Sequence, residues 1–253
     1  MEALTQAAFW WSEAVKVAVL AGTAYLSGLL VLRFGVLVNY TRKIVHFAVF
    51  LVPILVADVF PYDPSLATAT ASGLVLVGLM AGLVRPVRER VGPVATMFRA
   101  IDRPEDRPYT LVWLSSQVAV GYAVLLPLAV VFASFDRMEL IYIPILVNGL
   151  GDGLAEPVGV RFGKRHYTVK ALGVRRTYTR TLEGSACVFG AGVLAVLLFR
   201  DLLPGAEFWA ALALLPPVMT WAEARSPHTW DSPFLFLAGG AVLLGVVLTG
   251  AGP

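Results

Sequence analysis

Cysteine and charge are what this sequence has least of. Cys187 is the only cysteine in 253 residues and sits in an apolar stretch. Alone it excludes an intrachain disulfide, and its surroundings suit a small packing side chain. Charged residues make up 15% of the chain and hydrophobic residues 58%. So little polar surface excludes an ordinary water-facing globule. A basic n-region is missing as well. Residues 1–13 carry Glu2 and Glu13, and the apolar run behind them reaches Arg33 without a small-residue cleavage pattern, so it reads as a retained helix.

The phosphate-binding signatures of soluble enzymes are absent too. Gly149, Gly151 and Gly153 fail to complete G-x-G-x-x-G, because Leu154 stands where the third glycine belongs. A P-loop fails because Val158 occupies its first position and Arg165 follows Lys164. Any phosphate site here must be of another kind.

What is present is a series of apolar runs, at roughly 14–32, 44–60, 65–84, 109–133, 139–160, 182–199, 207–224 and 233–252. A hydrocarbon core about 30 Å thick takes roughly 20 residues of helix. The expectation is therefore an all-α polytopic integral membrane protein of about eight transmembrane helices, with residues 1–253 as one membrane domain. Basic residues set its orientation. Seventeen of the 20 Lys and Arg residues fall in the loops after the first, third, fifth and seventh runs. This places those loops in the cytoplasm and both termini outside. Sixteen arginines against four lysines suit a GC-rich prokaryotic genome, hence a prokaryotic cell membrane.

Two cytoplasmic segments exceed a turn. Between about 85 and 107, Val87, Val91, Val94, Phe98 and Ile101 recur at helical spacing, broken by Gly92 and Pro93, which predicts a short amphipathic helix on the inner leaflet. The second segment, about 161–181, holds seven basic residues and no acid. Its charge fits a lipid-headgroup patch and a polyphosphate site equally well.

Charge inside a span costs about 2.5–3.5 kcal/mol at the helix centre, so it usually has a task. Asp152 and Glu156 are one turn apart near the cytoplasmic end of the fifth run, Glu183 opens the sixth, and Glu223 closes the seventh. Four carboxylates are thus expected at one membrane interface, facing basic loops. Hard oxygen ligands of this kind suit Mg2+ or another divalent cation carried with a nucleotide. A small-residue packing face accounts for the glycines around Asp152 but not for Asp152 itself. Thr181 is positioned to cap the sixth helix. Arg42, Lys43 and His46 form a further cluster, with Lys43 and His46 on one helical face. His166 and His228 receive no role.

Five segments in order resemble the polyprenol kinase family, which includes dolichol kinases, phytol kinases and a CTP-using diacylglycerol kinase of fungi. They are TRKIVHF, DRPED at 102–106, GDGLAEPVGVRFGK, TLEGS and EARSPHTWD, spanning about residues 40–238. Two departures stand out: Arg180-Thr181 replaces a more usual Lys-Ser, and Ser232 follows Asp231 where asparagine is common.

The resemblance implies transfer of a phosphoryl group from CTP to a lipid hydroxyl. Its motif positions imply catalytic roles for Asp152, Glu156, Lys43 and Glu183, with the first two and Glu183 holding the metal or the substrate hydroxyl. They imply nucleotide contacts for Arg42, Lys43, His46, Gly159, Gly163, Lys164, Gly184 and Ser185. Further motif positions are Arg103, Glu105, Glu223, Ser226, Pro227 and Asp231. The expected partners are CTP, a lipid alcohol and membrane lipids, with no nucleic acid. Three other readings remain: a diacylglycerol kinase, a cytidylyltransferase forming a CDP-lipid, and a transporter using intramembrane acids as an ion path.

Overall fold

The computed structural model describes residues 2–57 and 59–250, with side chains from residue 4 onward. Asp58 in the second predicted run, and Ala251 and Gly252 at the end of the last, lie outside the described residues. The chain is predominantly helical and divides into two compact units, Met1–Ala119 and Val120–Pro253.

The first unit contains α1 (Ala7–Phe34), α2 (Val38–Ala57), α3 (Leu66–Ala81), α4 (Arg85–Arg90), α5 (Gly92–Arg99) and the start of α6 (Thr110–Ala133). Gly35 ends α1 in the left-handed conformation at φ +65, with its N–H on the carbonyls of the last turn. Ser65 starts α3 with a reciprocal capping box to Thr68. The predicted amphipathic segment is two short helices, because Gly92 and Pro93 break the first and Pro93 sits at the start of the second. Phe98 and Ile101 are buried as the stripe requires, Val91 is exposed, and the Arg88 guanidinium lies 3.6 Å from the centre of the Phe98 ring.

The second unit continues α6 and adds α7 (Tyr142–Val147), a single π-turn at Asn148–Asp152, and α8 (Gly153–Phe162). Strands β1 (His166–Lys170) and β2 (Thr177–Thr181) follow, then α9 (Leu182–Leu198), α10 (Ala206–Arg225) and α11 (Asp231–Gly250). Its core is Phe132, Ile143, Val147, Val188, Val196, Leu215, Met219, Leu235 and Leu243 with their neighbours. Small residues let these helices approach closely. A Cβ on Gly151 would come within 2.8 Å of the Val188 backbone, and one on Gly192 within 2.9 Å of Pro216 Cα. At the end of the unit formed by the α9–α10 connection, the Arg137 guanidinium bonds Glu207 at 2.7 Å and also the Leu202 carbonyl.

Eight helical stretches coincide with the eight predicted runs. Five are long and apolar enough to cross a membrane: Ala7–Phe34, Val38–Ala57, Thr110–Ala133, Met138–Phe162 and Asp231–Gly250. Leu66–Ala81 and Leu182–Leu198 are apolar but shorter, and Ala206–Arg225, at the seventh run, falls in neither group. The several apolar helices make this a membrane-embedded protein. The segment expected as a basic loop, about 161–181, contains regular structure. Arg161 and Phe162 finish α8, and most of the remainder is an antiparallel hairpin pairing His166 with Thr181 and Lys170 with Thr177. Alternating Thr with Tyr, Val and Arg suits a strand with one covered face.

Candidate functional site

The hairpin lies over one end of the second unit and turns one face inward. Tyr167 pairs with Arg180 and Val169 with Tyr178 on that face, while His166, Thr168, Lys170, Thr177 and Thr179 point out and are exposed. At its base, Gly163, at the C-terminal end of α8, leads into the first strand, and Thr181 caps α9 by accepting the Gly184 N–H at 3.1 Å. At its far end Ala171 bridges to His228, the His228 N–H donates to the Lys170 carbonyl at 2.9 Å, and the His228 ring stacks on Tyr178 at 3.4 Å between centres.

Beneath the inner face is a continuous polar network. Arg180 donates from one nitrogen to Glu223 Oε1 and Ser226 Oγ, both at 3.1 Å, and to the Glu223 carbonyl; its other terminal nitrogen donates to Asp231 Oδ1. Ser185 donates to Glu223 Oε2 at 2.9 Å. Its only proton is thereby used, so the Tyr167 phenol, 2.7 Å away, donates to Ser185. Ser226 Oγ also lies 2.5 Å from Asp231. Glu223, Ser226, Asp231 and Ser185 are all buried.

Burial opposes the charge on Arg180, but Asp231 and then Glu223, with smaller contributions that include Asp152, outweigh it and raise its pKa above the ordinary guanidinium value. Burial, reinforced by the Glu223 charge, likewise raises the Tyr167 phenol, which stays protonated at neutral pH. A half-buried guanidinium facing buried carboxylates is a compensated arrangement, since leaving those carboxylates alone would carry their desolvation cost.

Two of the five sequence segments meet in this network, and a third packs beside it. Ser185 comes from TLEGS, Arg180 immediately precedes that segment, and Glu223, Ser226 and Asp231 come from EARSPHTWD. Asp152 of the GDGLAEP segment closes the π-turn, is buried, and acts electrostatically on Arg180. Turns of this kind are frequent at functional positions. Glu156 follows one turn later in α8 and is half-buried. Pro227 begins the tight connection in which Thr229 adopts φ +67, a strained conformation for a β-branched residue.

Other expected site residues have structural partners. Glu183 Oε2 accepts the backbone N–H groups of Lys164 at 3.1 Å and Arg165 at 3.3 Å, which fixes the turn into the hairpin. The three motif glycines serve close packing of α8 on the start of α9. A Cβ on Gly159 would meet Thr181 Oγ1 at 2.8 Å, one on Gly184 would meet the Ala155 carbonyl at 2.6 Å, and one on Gly163 would collide with Thr181. The Lys164 side chain is exposed.

The remaining expected residues belong to the first unit. Arg42, Lys43 and His46 lie in α2, with Lys43 buried and His46 against Phe50. Thr41, beside them, donates to the Ala100 carbonyl at 2.8 Å. Arg103 is buried and paired with Asp106 at 2.7 Å, with exposed Glu105 at 3.9 Å.

No group of three or more His, Cys, Asp or Glu side chains among the described residues is arranged to hold a metal ion. The expected set of Asp152, Glu156 and Glu183 is therefore not gathered into such a group. Asp152 and Glu156 one turn apart still fit a Mg2+ that takes one or two carboxylates and completes its shell with phosphate oxygens and water. Arg180 and Tyr167, central to the network, escaped the sequence reading of the site. The signal for them was the alternation in HYTVK and TYTRT, which marks inward positions once these segments are read as strands.

Comparisons with protein-family models, curated proteins and solved structures find no match to this chain.

Proposed function

We propose that this chain is a membrane-embedded kinase that transfers the γ-phosphate of CTP to the hydroxyl of an isoprenoid alcohol of the polyprenol, dolichol or phytol type. In this reading all eight helical stretches cross a prokaryotic cell membrane, both termini lie outside, and the hairpin end of the second unit faces the cytoplasm. The observation that carries the proposal is the network joining Ser185 of TLEGS and Glu223, Ser226 and Asp231 of EARSPHTWD at Arg180, with GDGLAEP packed on TLEGS where Gly184 meets the Ala155 carbonyl. Distribution of acids through the bilayer, which an ion path would favour, is a poorer description of Glu223 and Asp231 gathered on Arg180 where α10 ends and α11 begins.

Phosphoryl transfer asks chiefly for alignment and charge stabilisation. The substrate oxygen forms its bond to the γ-phosphorus, the bond from that phosphorus to the bridging oxygen breaks, CDP leaves, and the hydroxyl proton passes to a carboxylate. Asp152 and Glu156 supply that carboxylate and the oxygen ligands. A Mg2+ bound with CTP would be held there and would offset charge on the phosphates. Lys164 contributes a cation to the phosphates. Glu183 acts as a positioning residue through the Lys164 and Arg165 amides. Arg180 is committed to Glu223 and Asp231, so it holds the hairpin in place and is not a phosphate ligand.

The test uses purified protein in detergent with γ-labelled CTP and a panel of lipid alcohols that includes diacylglycerol. The expected result is label on an isoprenoid alcohol, lost in Asp152→Asn protein that keeps the wild-type unfolding temperature. Label released as pyrophosphate would mean a cytidylyltransferase and would overturn the proposal, as would full activity of Asp152→Asn. Preference for diacylglycerol would overturn the substrate class alone.

A further inference from the structure

The hairpin sorts the cations of segment 161–181 by position. Arg180 points inward and is spent on Glu223 and Asp231. Lys164 and Arg165 stand at the base, where Glu183 holds their amides. Lys170, Arg175 and Arg176 surround the turn at the far end, and all three are exposed. Register places Lys170 opposite Thr177 and His166 opposite Thr181. The turn is thus about four residues, roughly 13 Å, along the strands from the base.

The turn does not project away from the helices. Its start is fixed to His228 by the Ala171 bridge, the Lys170 carbonyl and the stacked Tyr178 ring. His228 lies in the short connection between Arg225, the last residue of α10, and Asp231, the first of α11. The cations are therefore held at the level where two helices end. Gly173, at φ +73, makes the reversal possible, and beside it Leu172 is 45% exposed. An apolar side chain flanked by cations at a membrane surface gains both from shallow insertion and from attraction to anionic headgroups.

We propose that this turn, Leu172 with Lys170, Arg175 and Arg176, docks on the phosphate groups of anionic phospholipids in the bilayer the helices cross. The contact steadies the hairpin from outside, as Arg180 steadies it from within. The proposal rests on α10 and α11 as membrane spans and is independent of the phosphoryl-transfer reading.

The test places a polarity-sensitive fluorophore at Thr177→Cys in a Cys187→Ala background, in nanodiscs of phosphatidylcholine alone or with phosphatidylglycerol. Phosphatidylglycerol is expected to shift the emission to the blue and to reduce quenching by acrylamide. The Lys170→Gln/Arg175→Gln/Arg176→Gln variant loses both effects, and Leu172→Ser loses part of them. Equal quenching in the two lipids overturns the proposal, as does a phosphatidylglycerol effect that survives in the triple variant. Protection by CTP in phosphatidylcholine alone also overturns it, by assigning these cations to the nucleotide. None of these readings depends on kinase activity.

Discussion

The two units solve the problem of polar groups among apolar helices differently. In the first, 17% of the most apolar window of α1, and the same share of α2, is buried, against 56% for Met138–Phe162 and 44% for α11 in the second. The first unit leaves most of the surface of these helices exposed, and two of its buried ion pairs are local. Glu13 and Lys16 are three residues apart on α1, with Ser72 donating to Glu13 at 2.7 Å, and Arg103 pairs with Asp106 three residues on. The second unit packs helix on helix and joins its charges across the chain. Arg180 reaches Glu223 and Asp231, 43 and 51 residues away. Local pairs compensate a charge wherever a helix carries one, whereas a long-range network also fixes the elements that bring it together.

This contrast can be broken at several points, taken from the largest expected effect to the smallest. Asp152→Asn should abolish CTP-dependent phosphorylation outright, read as transfer of γ-label. Arg180→Ala leaves Glu223 and Asp231 buried without their guanidinium, and should cost about 3–5 kcal/mol. Thermal unfolding in detergent reads that loss. Arg180→Ala/Glu223→Ala should recover part of it, and strict additivity of the two single changes would deny the network.

Packing gives the next step down. Gly184→Ala drives a methyl group against the Ala155 carbonyl and should cost about 1–3 kcal/mol. Gly22→Ala in α1 and Gly78→Ala in α3 meet nothing within 4 Å and should stabilise by about 0.5–1 kcal/mol each. Destabilisation at both of these would show the first unit to be as tightly packed as the second. Smallest of all, Arg85→Gln breaks a fully exposed pair with Glu89 and should leave the unfolding temperature unchanged.

Much of the fold was legible because its signal is local. Eight apolar runs became eight helical stretches, and Gly92-Pro93 divided the segment between α3 and α6 as their backbone chemistry requires. Thr181 capped α9 as its side chain and position suggested. The site was legible in part. Asp152, Ser185, Glu223, Ser226 and Asp231 were picked out as residues, but that the last four and Arg180 share one set of hydrogen bonds was not. A run of arginines reads the same whether a given side chain points inward or outward, and five-residue strands carry too little periodicity to decide it.

The sequence by itself determined the solvent of this protein and where along the chain its helical stretches lie, since both follow from apolar residues counted along the chain. Tertiary structure decided which charges meet. It turned Arg180 onto Glu223 and Asp231, gave Glu183 to the amides of Lys164 and Arg165, and made Gly159, Gly163 and Gly184 packing contacts. The reason is physical. Burial of a helix is a sum over its own residues, whereas a hydrogen bond between residues 43 positions apart exists only once the intervening helices have set their ends side by side.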